Sequence, residues 1–525
     1  MNNNAPAILR ALVVYAICVP LAIFVGYTLA NPFDFSINGV WSLGTLGILV
    51  AVLASPLLLR WHYPLLLFSW YSSVTFAFLP GAPSLWLFMV VVSLSLSILE
   101  RILNNRTHFI RVPQITWPLL AMLGVVFLTA EMTGGVGLKA LGSSVYGGKK
   151  YVFLVLSIFS YFALTSRPIP LNHARWFVTL FFLGRATAAI GDFYPIAPSW
   201  LTPLFYVFPP SAYDPNNPFQ IGVTRLGGVG AAAIGIYFWM LAKYGVRGIF
   251  QSGKPWRPVL LLILFVLVFL GGFRSALFLF VSTFILKFFM EGLHRTPLLL
   301  VFGFIGLMGC VALVPLAHKL PYTFQRTLAF LPLDLDADAK GSADDSWDWR
   351  VRMWTALFPQ VPKHLLLGEG YAFSSEEYDE MMAGGVLGTA TGNFDAAQNP
   401  LALAGDYHNG MLAVILPFGI WGVLVTFWFL GAALKVMYCN FKYGDPALHN
   451  VNGLLLALFS IEAASFASCV GGQSLAGEMS MFISYLGLSI ALNNGVCGPA
   501  SQFARNQSED QPVKSFPHLR PALQR

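Results

Sequence analysis

Apolar runs of membrane-crossing length recur along this chain from residue 9 to residue 493. A helix needs roughly 20 apolar residues to cross the hydrocarbon core, fewer if it is short or re-entrant. On that measure the sequence predicts fourteen spans: 9–30, 40–59, 64–80, 84–99, 116–130, 151–165, 174–191, 226–242, 258–271, 273–290, 297–317, 409–435, 451–469 and 478–493. The pairs meeting at Pro80–Pro83 and at Gly271–Arg274 are the least sharply divided. The runs are continuous rather than alternating, which fits helices and not a barrel. Charged residues make up only 10% of the chain, against about 25% in soluble domains. The expectation is an all-α polytopic membrane protein.

The first run, after Arg10, has no convincing small-residue cleavage site and is followed by more spans, so it reads as a membrane helix rather than a leader. Short loops that alternate with the others set the orientation. With the N-terminus inside, the inner loops hold Arg60; Arg101, Arg106 and Arg111; Arg167; Lys243, Arg247, Lys254 and Arg257; Arg295; and Lys442. The outer loops are poorer in basic residues, with Lys139, Lys149 and Lys150 the one dissenting cluster. Both termini are therefore expected in the cytoplasm. The +7 net charge is explained by these loops, and neither a basic stripe nor a nucleic-acid motif is present, so no nucleic-acid partner is expected. The five cysteines form no CxxC pair, and neither disulfides nor a thiolate metal site is expected.

Four segments follow: a membrane bundle at 1–317, an outer loop domain at 318–408, further membrane helices at 409–493 and a polar tail at 494–525 expected to be disordered. The loop domain carries 13 of the 24 acidic residues against 6 Lys or Arg, and it is too long to be a plain connector. Within it, "WRVRMWTALFPQV" with Trp347, Trp349 and Trp354 predicts a short amphipathic helix at the membrane surface. A second outer loop, 192–225, is rich in aromatics and proline. Those rings could stack on sugars or simply form an interfacial belt.

His408 stands where the acidic segment becomes apolar, in "GDYHNGMLAVILPFGIWG". A lone surface histidine is usually unremarkable. This one lies at a predicted helix N-terminus beside Asp406 and Asn409, and a helix N-terminus favours the neutral imidazole that a general base must be. Asn409 could cap the helix. Gly419 and Gly422 could admit a neighbouring helix, and Pro417 could kink the span. Arg225, Arg274, Arg350 and Arg352 all fall on the outside, where the loop-charge bias does not explain them. Each alone could be a snorkelling side chain or a partner of the acidic loop. Together they suit a polyanion, because guanidinium forks match phosphate oxygens. Arg185 and Glu462 lie deeper, where charge is costly. They could pair, Arg185 with Asp192, or Glu462 with a partner the sequence does not identify. No GxSxG elbow, HExxH or P-loop is present, and "DLDADAKGSADD" lacks EF-hand spacing.

Three stretches resemble the bacterial O-antigen ligase and polysaccharide polymerase superfamily. "HNGMLAVILPFGIWG" has the form His-Asn, nine residues, Gly-x-x-Gly, after a long outer loop. "GGFRSALFLFVSTFILKFF" looks like that family's arginine-led helix start, and "WRVRMWTALFPQVPKHLLLGEGYAF" like its Arg-x3-Trp stretch ending in Gly-x-Gly. The resemblance covers about 225–425 and implies a GT-C-like bundle of about 12–14 helices with one large periplasmic loop. It implies a metal-independent glycosyltransferase of the bacterial inner membrane, needing no cofactor. The donor would be a glycan on undecaprenyl diphosphate, and the acceptor a hydroxyl of lipid A-core, of another glycan or of a protein. By the same resemblance His408 matches the family's loop histidine, and Arg225, Arg274 and Arg350 its diphosphate-holding arginines. The span count and the acidic stretch 334–348 depart from the family's pattern. Ligase and polymerase stay open, and a transporter of lipid-linked glycans is disfavoured because few polar residues lie at midplane depth.

Overall fold

The computed structural model describes residues 58–77, 82–103, 108–137, 146–210, 225–376, 379, 406–468 and 474–499. The expected span 9–30, nearly all of 40–59, and most of the tail lie outside the described residues. The chain divides into two units, Met1–Tyr63 and Pro64–Arg525. Of the first, only the helical residues 58–63 are described.

The second unit is all-α. Among the described residues no sheet forms, and two isolated bridges, Thr75 with Ser84 and Tyr146 with Phe373, are its only extended pairings. Its longer helices are α1 (Leu85–Leu103), α2 (Pro113–Met132), α3 (Gly148–Leu164), α4 (Leu171–Leu183), α5 (Gly227–Phe250), α6 (Trp256–Leu270), α7 (Arg274–Met290) and α8 (Leu298–Leu316). Then come the short α9 (Tyr322–Leu328), α10 (Ala337–Leu357), α11 (Leu412–Tyr443), α12 (His449–Ala467) and α13 (Leu475–Asn493). Eight helical segments among the described residues are long and apolar enough to cross a membrane. The chain is a polytopic, all-α membrane protein.

α13 is the central helix, with most of its length buried and Gly487 packed against Leu164 of α3. α8 is peripheral, with no fully buried residue. With no hydrophobic drive between helices in lipid, small residues and side-chain hydrogen bonds hold such bundles together. Here Asn440, Asn452 and Asn493 interlock α11, α12 and α13: Asn452 Nδ2 donates to the Asn440 carbonyl at 3.0 Å, and Asn493 Nδ2 to Asn452 Oδ1 at 2.8 Å.

Two expected spans, 64–80 and 409–435, are interrupted, and α5 breaks just beyond the end of its expected span. The run 64–80 leaves the helix at Trp70, and Ser73 N–H donates to Thr187 Oγ1 at 2.9 Å. α5 breaks at Gly245 (φ 62°), where the Glu291 carboxylate accepts from Val246 N–H at 3.0 Å and Arg247 N–H at 2.8 Å. Glu291 itself pairs with the fully buried Lys287 at 3.1 Å. α11 breaks at Gly419 (φ 60°), two residues after Pro417. A break inside a membrane bundle is tolerated only where protein satisfies the freed backbone groups, and each of these meets that condition. By contrast, Gly271 and Gly272 (φ 66°) form a true turn, so α6 and α7 are separate helices.

At the break in α11 the partner is the loop 365–370. Ile420 N–H donates to the Leu365 carbonyl at 2.7 Å, Glu369 N–H to Leu416 at 2.8 Å and Gly370 N–H to Pro417 at 3.0 Å. The loop is wedged on its other side against α2 and α3. Thr129 Oγ1 donates to the Leu367 carbonyl at 3.1 Å, and Tyr371 N–H to the Tyr151 hydroxyl at 2.9 Å. This corrects the expectation for Gly419 and Gly422. What approaches Gly419 is loop backbone, with Leu365 O 2.8 Å from where a Cβ would sit, and not a helix. Gly422 is crowded by Phe418 and Val414 of its own helix.

Candidate active site

The N-terminal ends of α5, α7 and α11 share one face of the bundle with α9 and α10. Leu226 N–H donates to the Leu270 carbonyl at 3.0 Å, which joins the start of α5 to the turn before α7. Arg225 therefore lies beside Gly272, and Arg274 is the first residue of α7. α9 and α10 cover this corner. Arg274 Nη2 donates to the Ala343 carbonyl at 2.8 Å and Arg326 Nε to Ser342 Oγ at 3.1 Å.

The result is a basin of four guanidiniums. Arg326 is lowered to about 10, first by burial and then by the like charges of Arg225, Arg274 and Arg350, with Tyr322 opposing. Burial also lowers Arg225, and Arg350 is lowered by burial and then by Arg274. Among the described residues none of the four makes an ion pair, and Arg350 Nε is buried without a hydrogen-bond partner. Two of them stand at helix N-termini, where the dipole already carries positive charge. Such an arrangement is self-repelling until an anion enters it. The acidic residues of α10 do not supply one: Asp338, Asp344, Asp345 and Asp348 are exposed, while Ala339, Ala343 and Trp349 face inward.

Arg326 is absent from the residues the sequence singled out. Its signal was present, because Tyr322 and Arg326 stand four apart and share a helix face. Arg352 moves the other way. Two residues along α10 turn the side chain about 200° from Arg350, and Arg352 is exposed. It is not part of the basin. α10 itself begins ten residues before the expected tryptophan helix, and Asp338 in its first turn complements the dipole.

His408 closes the basin on one side. Its backbone is left-handed (φ 47°), a conformation that costs a non-glycine residue about 1–3 kcal/mol and collects at functional sites. The neighbours hold it there. Trp354 Nε1 donates to the Tyr407 carbonyl at 2.8 Å, and Asn409 Oδ1 accepts from Met411 and Leu412 N–H, each at 3.1 Å, capping α11. The edge of Trp349 meets the imidazole at 5.4 Å between ring centroids. Asp406 does not hydrogen-bond to the histidine; it pairs with Lys150 at 3.4 Å. Neither imidazole nitrogen has a hydrogen-bond partner among the described residues. Burial lowers His408 below its usual 6.5, Arg350 lowers it further, and Asp406 partly opposes them. The imidazole is thus neutral at neutral pH, with a free lone pair.

Arg350 links the two halves. It lies within electrostatic range of Arg274, Arg326 and His408 alike. A site with four fixed cations and one neutral base suits a reaction in which an anion leaves and a hydroxyl loses its proton. Among the described residues no group of three His, Cys, Asp or Glu side chains converges as metal ligands would. Arg185 and Glu462 belong elsewhere. They lie within electrostatic range of each other, Arg185 sits over the Tyr71 ring at 5.3 Å, and Asp192 accepts from Val229 N–H at 2.7 Å, capping α5.

No curated protein matches the chain at a significant level. Residues 259–427 match the family model described as O-antigen ligase. The matched stretch takes in Arg274, Arg326, Arg350 and His408 and leaves out Arg225. It runs from α6 to the middle of α11, so it spans both the basin and the broken helix that supports it. Over that stretch the chain is similar to the O-antigen ligase family.

Proposed function

We propose that the chain is a ligase-type glycosyltransferase of the bacterial inner membrane, with both termini cytoplasmic and its arginine basin at the periplasmic face. The donor is a glycan on undecaprenyl diphosphate, and the acceptor is a hydroxyl of lipid A-core, of a glycan or of a protein. The acceptor oxygen attacks the anomeric carbon as its proton passes to His408. The bond to the diphosphate breaks, and the leaving group takes the electron pair into the basin formed by Arg225, Arg274, Arg326 and Arg350. Charge developing on a leaving group, met by cations already in position, is the largest stabilising effect in sites of this kind. The observation that carries this reading is the position of Arg350, within electrostatic range both of arginines that make no ion pair among the described residues and of the His408 imidazole.

Deleting the gene in its host and restoring it tests the reading. Long glycans stranded on the lipid carrier identify a ligase, and single repeat units identify a polymerase, which uses the same donor and the same residues. Normal surface glycan after deletion would reject both.

Two predictions bear on the assigned roles. Arg274→Lys and Arg326→Lys each keep the charge and lose the fork. Each is expected to lower transfer by about 10²-fold, the order found for removing one stabilising donor, while Arg352→Ala is silent. Equal losses at all three positions in a transfer assay would argue against the basin. The second prediction concerns pH. His408 acts as a neutral base, so transfer falls on the acid side, below pH 6.5. Arg350→Gln removes a charge that disfavours the imidazolium, and its acid limb should move to higher pH. Asp406→Asn should move it lower. A rate profile unchanged in both variants would remove His408 as the titrating base.

A further inference from the structure

α2 and α11 pack along one another and leave a cavity of about 610 Å³ on their shared outer seam. Its walls are Trp117 of α2 with Phe427 and Trp428 of α11, all substantially exposed. Gly431 floors it, and nothing lies within 4 Å of where a Cβ on Gly431 would sit. Gln114 and the exposed Lys435 stand at one end, and Lys435 has no partner among the described residues. The volume falls within the range of small-ligand sites, about 300–1,000 Å³.

The depth of the charged end matters. Leu412 to Lys435 is roughly 35 Å along a helix, more than the hydrocarbon thickness of about 30 Å. Lys435 therefore lies at the membrane face opposite His408 and the arginine basin. A groove open to lipid, apolar and aromatic along its length and cationic at its interfacial end, complements one kind of occupant: an acyl chain attached to an anionic headgroup.

We infer that this groove is a binding site for an anionic phospholipid of the leaflet opposite the arginine basin, its chain along Trp117, Phe427 and Trp428 and its phosphate on Lys435. The site is independent of the glycan-transfer reading, since it shares no residue with the basin.

Purified full-length protein, stripped of loosely held lipid and titrated with phosphatidylglycerol or phosphatidylcholine, tests this by native mass spectrometry. The wild type should retain one phosphatidylglycerol per chain in preference to phosphatidylcholine. Lys435→Ala should weaken that retention roughly fivefold, the effect of one basic residue at an anionic surface, and Lys435→Arg should restore it. Gly431→Trp, which fills the groove, should abolish retention of both lipids. Lys435 is exposed, so its replacements leave the bundle intact even if the tryptophan variant misfolds. Equal retention of the two lipids, or phosphatidylglycerol retention indifferent to Lys435, overturns the proposal. Indifference would also be the result if a protein helix covered the groove.

Discussion

Replacing His408 by alanine is expected to lower glycan transfer by about 10²–10⁴-fold, the contribution typical of a positioned acid or base, while the protein remains folded and inserted. The imidazole makes few structural contacts that its loss would expose. Its ring nitrogens are unpartnered among the described residues, and its main contact is the edge of Trp349. The backbone around it is fixed by other residues: Trp354 holds the Tyr407 carbonyl and Asn409 caps α11. Alanine at φ 47° keeps the strain without the chemistry. The measurement is transfer of a lipid-linked glycan by purified protein, beside its melting temperature. Wild-type transfer would eliminate the base role, and a collapsed melting temperature would show that the histidine is instead structural. His408→Gln, which can hold a hydroxyl but is a poor base, separates orientation from proton removal: partial activity would favour orientation.

The second large effect is structural and lies at Gly368. Its φ of 77° is left-handed, and a Cβ there would overlap the carbonyl of Pro417. That oxygen is backbone in a packed helix and cannot swing aside. Gly368→Ala should therefore undock the loop from α11, losing three backbone hydrogen bonds. At about 1 kcal/mol net for each, with about 1–2 kcal/mol for the left-handed backbone, the loss is roughly 4 kcal/mol. Gly309→Ala is the control, because nothing lies within 4 Å of its Cβ position. The alanine at 368 should melt well below wild type in detergent and the alanine at 309 should not. Matching melting curves for both would mean that the loop is not anchored as described. Transfer should fail in the first variant too, since Tyr371 and Glu369, which touch the His408 neighbourhood through Lys150 and Tyr407, move with the loop.

The spans were legible because a continuous apolar run has one plausible fate in lipid. The breaks in the helices were not, for a specific reason. A break at Gly245 or Gly419 is stable only because Glu291 or the 365–370 loop, far away in sequence, satisfies the freed amides. Nothing near the break records that partner. In the site, His408, Arg225 and Arg274 stood out because they sat at the ends of apolar runs, and Arg350 because the loop-charge bias does not explain an outside arginine. Arg326 was hidden in a short helix too brief to show a period, although its spacing from Tyr322 carried the hint. Arg352 was grouped with Arg350 by adjacency in "WRVRMW", and adjacency misleads on a helix, where two residues apart means opposite sides. The acidic stretch looked like a partner for the arginines, yet α10 turns its carboxylates to solvent and its alanines to the basin.

The splice between the 365–370 loop and the broken α11 bears on how segments of this chain can be exchanged with those of similar proteins. An exchange of outer segments between relatives, cut at the point where the chain re-enters the membrane, would sever the loop from the helix strand it was matched to. Chimeras cut outside 361–422 keep both halves of that joint from a single parent and leave no mismatched socket behind.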